Sequence, residues 1–173
     1  MWAFVLFETL IFTGYFSVYL LQRTGAPQAF LHAQAQLDPR IGVFNTIVLL
    51  LSSWSVARCV QSARAGAYGS AHRDALLTVL FGVVFAVSKV SEWIGQLRRG
   101  NGVAGNEFFT FYYFLTGIHF LHLLIGFVVL AIVGYQIRGP ARRSQNLIET
   151  GATYWHTVDF LWVLIFALLY VVR

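Results

Sequence analysis

The 173 residues are 58% hydrophobic and 17% aromatic, with only 11% charged side chains, whereas soluble domains average about 45–50% apolar and about 25% charged residues. With a mean hydropathy of +0.67, water is the wrong solvent for this chain. The formal charge of +5 does not build a nucleic-acid surface, because the arginines sit in short clusters between apolar runs rather than on a basic face with interleaved aromatics. The single cysteine, Cys59, leaves no internal disulfide and no multi-cysteine metal or iron–sulfur framework.

Five apolar runs follow in chain order, at about 2–21, 41–58, 75–96, 108–137 and 153–172. Each is near the ~20 residues a helix needs to cross ~30 Å of hydrocarbon. The expected fold is all-α: one domain over 1–173, a polytopic bundle of five transmembrane helices. Glu8 interrupts the first run, and no basic region precedes it. The run therefore reads as a retained helix, not a secretory signal.

The connections carry helix-ending chemistry. Arg23, Thr24, Gly25 and Pro27 follow the first run, and arginines with glycine and serine fill 64–73 after the second. Arg98, Arg99, Gly100, Asn101 and Gly102 follow the third; Gly139, Pro140, Arg142 and Arg143 follow the fourth. An odd span number puts the termini on opposite sides. Arg58, Arg64, Arg73, Arg138, Arg142 and Arg143 then share the N-terminal side, against Arg23, Arg40, Arg98, Arg99 and Arg173. This small excess places the N-terminus in the cytoplasm under the positive-inside rule.

Ionisable groups in hydrocarbon are costly unless paired or turned to a protein interior, so each is a functional candidate. Glu8 sits in the first helix with Thr9 and Thr13 and no neutralising neighbour in sequence; it is either a site or a helix-end carboxylate favoured by the N-terminal dipole. Lys89 and Glu92, three apart on the third helix, share a face and can pair. They make either a tolerated salt bridge or a site meeting lipid or protons. His119 and His122 share a face of the fourth helix within the stretch Thr116 to Gly126.

Two imidazoles at that spacing can ligate a metal. His156, near the opening of the fifth run, should however lie more than ~15 Å from that pair in depth, so that the three cannot share one ion. Packing histidines bonded across helices are the expectation, with Gly117 and Gly126 allowing close backbone approach. The alternative is a metal- or haem-binding membrane oxidoreductase using His119, His122 and His156. His156 and Asp159 form another i, i+3 pair, in which a carboxylate would orient an imidazole, flanked by Tyr154, Trp155, Phe160 and Trp162 as an interfacial aromatic belt. Asn45, Thr46, Ser52, Ser53 and Ser55 read as interhelix hydrogen-bonding glue. No phosphate-binding glycine loop, thiol redox pair or nucleophile elbow is present.

In this order the polar residues resemble the haem–copper oxidase subunit III family along nearly the whole chain. The segment Phe7 to Phe12 is similar to a family helix with a Ser-Glu pair before an apolar run, and Asn45 to Ser53 to its Asn-Thr followed by leucines and small hydroxyls. The segment Lys89 to Trp93 resembles its Gln-x-x-Glu-Tyr helix end, and Thr116 to Gly126 its Thr-Gly-x-His-Gly-x-His pattern. Tyr154 to Asp159, followed by Trp162, Phe166 and Tyr170, resembles its most distinctive helix.

Departures are Lys89 for a usual glutamine, Phe120 for a glycine and Thr157 for a phenylalanine. The chain opens at the Glu8 helix, as in five-helix forms associated with quinol oxidases and nitric oxide reductases, and brief loops and Lys89 tilt towards the latter branch. The resemblance implies a non-catalytic accessory subunit in a bacterial inner membrane. It would stabilise a catalytic partner that carries haem and copper or iron, bind phospholipid in a helix cleft and support proton uptake, with no redox cofactor of its own. Glu8, Lys89, Glu92, His119, His122, His156 and Asp159 would be its lipid- and proton-supporting residues.

Overall fold

A computed structural model describes residues 2–103, 105–139 and 143–172. Arg142 and Arg173, two of the arginines that set the expected orientation, and Pro140 lie outside the described residues. The described residues form six α-helices: α1 (Trp2–Gly25), α2 (Pro27–Gln34), α3 (Pro39–Arg64), α4 (Tyr68–Arg98), α5 (Glu107–Arg138) and α6 (Gln145–Phe166), the last running on into a π-helical turn (Ala167–Val171). Among the described residues, five of them, all but α2, are long and apolar enough to cross a membrane.

Local chemistry sets the helix starts. Asp38 caps α3 by accepting from the Arg40 backbone N–H, with Pro39 at the first helical position, and Asn106 caps α5 by accepting from the Phe108 N–H. Pro27 starts the short α2 in the same way. That helix falls where a loop was expected. Gly66 and Gly100, after α3 and α4, take φ of 72° and 84°, the left-handed turn that a side chain resists.

The larger difference is at α6, which begins at Gln145 rather than 153. The eight residues before Thr153 are polar enough to have read as loop, but they pack against α5 and α3: Ile148 and Gly151 are buried, and the Arg64 guanidinium meets the Glu149 carboxylate at 2.9 Å. The segment Tyr154 to Trp162 is thereby shifted about two turns deeper into its helix.

Trp155 and Trp162 are fully buried, so they are core residues and not the interfacial belt expected of them. Trp155 lies where α4 and α5 carry glycines. A Cβ at Gly82 or Gly126 would stand 3.0 Å and 2.8 Å from its ring, closer than carbon atoms approach without repulsion.

Helix α6 is the axis of the bundle, with 56% of its most apolar window buried, and α1 is its outrigger, with 11%. Leu6, Leu10, Leu21, Val87 and Val128 are among many large apolar side chains left exposed, as befits a surface facing lipid tails. The end of α3 and the start of α6 meet through Arg64 and Glu149, and α4 and α5 through His72 and Arg138. At the other end, Arg23 of α1 and Gln34 of α2 both donate to the Val172 carbonyl. Successive long helices therefore alternate in direction.

Candidate functional site

The most enclosed polar group is built on Lys89 and Glu92 of α4, both buried. Their i, i+3 spacing puts the ammonium 3.0 Å from Glu92 Oε2. Lys89 also donates to the hydroxyls of Tyr112 on α5 (3.2 Å) and Tyr170 in the terminal π turn (2.8 Å). Both hydroxyls donate onward to Glu92 Oε1, at 2.9 and 2.5 Å. All three ammonium hydrogens and both carboxylate oxygens are used, and the rings of Tyr112, Trp162 and Tyr170 stand 4.7, 5.1 and 5.4 Å from Nζ, within cation–π range. A buried ion pair is tolerable under these terms: good geometry with its remaining bonds satisfied. Tyr112 and Tyr170 were not singled out in the sequence. The signal available was the pair itself, since an enclosed Lys–Glu bond leaves two ammonium hydrogens and a carboxylate oxygen that something must meet.

A second ion pair joins α1 to α5. His122 Nε2 lies 3.1 Å from Glu8 Oε2, and the two side chains are 14% and 13% exposed. His122 Nδ1 is 2.8 Å from the Ile118 carbonyl, which can only accept, so Nδ1 carries hydrogen. A proton must then also lie between Nε2 and Glu8: the pair is either imidazolium with carboxylate or imidazole with carboxylic acid.

His119, one turn away, behaves differently. Its ring is held between Phe85 and Trp162, at centroid distances of 5.7 and 5.3 Å, and neither ring nitrogen has a hydrogen-bond partner. The expected bond across helices is absent because the inward-facing position is walled by aromatics. Neither glycine serves the close backbone approach expected of it: open space surrounds the position of a Cβ at Gly117, and at Gly126 the missing Cβ makes room for the rings of Trp155 and Tyr154.

His156 and Asp159 do not bond to one another. His156 Nδ1 is 2.6 Å from the Ser53 hydroxyl of α3, and both Asp159 oxygens are buried without a hydrogen-bond partner of normal geometry. The carboxylate-oriented imidazole expected there is replaced by an interhelix Ser–His bond, because the His156 ring is turned to α3.

Other hydroxyls of α3 tie it to α6 and α4. Trp162 Nε1 donates to Thr46 (3.1 Å) and Trp155 Nε1 to Ser52 (2.9 Å), which donates to the Thr78 carbonyl. Thr116 accepts from Trp93 of α4 at 3.2 Å. Asn45 is fully buried with neither amide atom partnered, so it is not hydrogen-bonding glue. Asp74, not singled out in the sequence, is buried near the end of α3, where Ser62 donates to it at 3.3 Å and Arg58 approaches to 3.8 Å.

The depth argument that separated the three histidines fails. With α6 starting at Gln145, Tyr154 donates to the His122 carbonyl and Trp162 touches His119, which brings His156 to within about a turn of His122 in depth. The imidazoles are kept apart by direction instead: one goes to Glu8, one to an aromatic cage and one to Ser53. Among the described residues no group of three or more His, Cys, Asp or Glu side chains is placed to hold a metal ion.

The fold and this pattern of pairwise polar ties define an all-helical, multi-pass membrane protein whose buried charges serve helix–helix contacts. The family model described as cytochrome c oxidase subunit III matches residues 1–172, and the chain belongs to that family. It is 28% identical to cytochrome c oxidase subunit 3 of Thermostichus vulcanus over 172 residues, 98% of this chain and 84% of that one. It is 28% identical to the subunit 3 of a Synechocystis strain over 96% of this chain and 72% of that one. A probable cytochrome c oxidase subunit 3 of Nocardia farcinica is 28% identical over 96% and 83%.

Proposed function

We propose that this chain is the non-catalytic accessory subunit of a haem–copper oxidase superfamily complex in a bacterial inner membrane, with its N-terminus in the cytoplasm. Its role is to stabilise the catalytic subunit, hold phospholipid in a helix cleft and support proton uptake. The haem, with copper or iron, belongs to the partner. The observation that carries this reading is the completeness of the Lys89–Glu92 ring: its donors and acceptors are spent on one another and on Tyr112 and Tyr170, so these buried charges join helices and face no substrate. The Glu8–His122 pair, with its one shared proton and its partly exposed position, is the better candidate for proton support. The names of the relatives favour a terminal oxidase as host over nitric oxide reductase.

Purification in mild detergent followed by mass spectrometry should return a larger haem-bearing partner with this chain. Recovery of a stable lone protein overturns the reading. A Soret band or stoichiometric copper in the isolated chain would instead support the oxidoreductase that His119, His122 and His156 could have suggested.

A further inference from the structure

His72, in the second turn of α4, accepts a hydrogen bond from a cation. Arg138, the last residue of α5, donates to its Nε2 from Nε at 3.2 Å and from Nη2 at 2.9 Å. A guanidinium can only donate, so Nε2 presents a lone pair, the ring hydrogen is on Nδ1 and the imidazole is neutral. Nδ1 is itself buried with no hydrogen-bond partner. Among the described residues no carboxylate forms an ion pair with this ring.

The other charged groups at this end of the bundle are committed elsewhere. Asp74 of α4 meets Ser62 and Arg58 of α3, and Glu149 of α6 meets Arg64 of α3 and Gln145. Arg73 reaches Ser70, and Arg143 lies over the Tyr68 ring at 3.7 Å. A second proton on His72 would therefore face Arg138 with no anion to offset it. It would also turn the acceptor that holds the guanidinium into a donor.

The bond spans the mouth of a groove. About 340 Å³ lie open between α4 and α5 beside it, walled by small or apolar residues such as Ala75, Leu76, Ala131 and Gly134. A Cβ at Gly134 would meet nothing within 4 Å. Towards the opposite end the same two helices are joined by Trp93 to Thr116 and by Lys89 to Tyr112, where no histidine takes part. Along the groove the helices have little mutual packing, so the bond across its mouth is a main tie there.

We propose that His72 and Arg138 form a proton-sensitive latch between α4 and α5, closed while the imidazole is neutral and released when it takes a second proton, with the groove widening at that end. The inference stands on this geometry and does not depend on the accessory-subunit reading. Histidine is the side chain that changes charge between about pH 5 and about pH 8, so the latch responds to acidification on the side where α4 begins.

The test is hydrogen exchange of the full chain in lipid nanodiscs at about pH 8 and about pH 5, read as protection factors so that the intrinsic pH dependence of amide exchange is removed. Protection of 72–79 and 131–138 should fall at least ~fivefold at the lower pH. The ends of α3 and α6 that Arg64 and Glu149 join should keep theirs, because a glutamate carboxylate stays largely ionised there. H72Q puts a carbonyl oxygen near the place of Nε2 and takes up no proton, so it should be protected at both pH values. H72K, a permanent cation, and R138M, which lacks the donor, should both be low at either pH. Equal wild-type protection at the two pH values overturns the latch, as does a step that persists in H72Q or an equal loss at the α3–α6 end. Should H72K fail to fold, the contrast between the wild-type step and the flat H72Q profile decides alone.

Discussion

Lys89–Glu92 and Glu8–His122, two of the ion pairs of this bundle, are built to different standards. Lys89–Glu92 sits where α4, α5 and the end of α6 meet, closed by two tyrosine hydroxyls and three aromatic rings. Glu8–His122 sits on the seam of α1, the helix with the least of its apolar window buried, and has only an intrahelical carbonyl to complete it. An enclosed pair must be fully satisfied because the interior offers no substitute partner, while a seam pair can exchange its partners with lipid headgroups or water. The first is therefore architecture, and the second is the looser and more exposed tie.

The sharpest way to break that contrast is Lys89→Met. It leaves the Glu92 carboxylate buried and uncompensated and should cost ~3–5 kcal/mol, read as a lower unfolding midpoint in detergent. K89M/E92Q, which removes both charges, should recover most of the loss. If K89M is as mild as a change at Glu8, the enclosed pair is not the architectural element. Next, Gly126→Val drives a side chain into the Trp155 ring, which a Cβ there would already approach to 2.8 Å. Overpacking of this kind costs ~1–3 kcal/mol, and the near-ultraviolet circular dichroism of the tryptophans should change with it.

Tyr170→Phe keeps the ring but removes one acceptor from Lys89 and one donor to Glu92, for about 1–2 kcal/mol. The same unfolding measurement should place it below both earlier variants. The smallest effect is expected of Glu8→Gln. The amide can still donate to His122 Nε2, so global stability should fall by less than ~1 kcal/mol, and faster backbone hydrogen exchange should be confined to α1. Exchange rising equally in α6 would show that the seam and the core are not separable.

The apolar runs made the long helices legible, since ~20 apolar residues have few alternatives to spanning a membrane. The boundary of α6 was not legible. Residues 145–152 include Gln145, Asn146, Glu149 and Thr150 and resemble a loop until Arg64 and α5 supply their partners. That single misplacement carried the aromatic belt and the depth of His156 with it. Within the site, spacing along a helix revealed the Lys89–Glu92 pair because both ends lie on one element. For His156 and Asp159 the same spacing misled, because the imidazole bonds to Ser53 on α3 instead.

The amino-acid sequence by itself determined the solvent, the long apolar helices, the family and the short roster of ionisable side chains immersed in them, because these depend on composition, run length and local motif. Only the tertiary structure decided which of those side chains meet. Tyr112 and Tyr170 complete a ring begun by residues 20 or more positions away, Glu8 finds His122 across 114 positions, and His119 finds aromatic rings instead of a hydrogen bond. Such partnerships are set by helix register and rotation, which depend on where bulky rings such as Trp155 can be accommodated, and a linear pattern does not encode that.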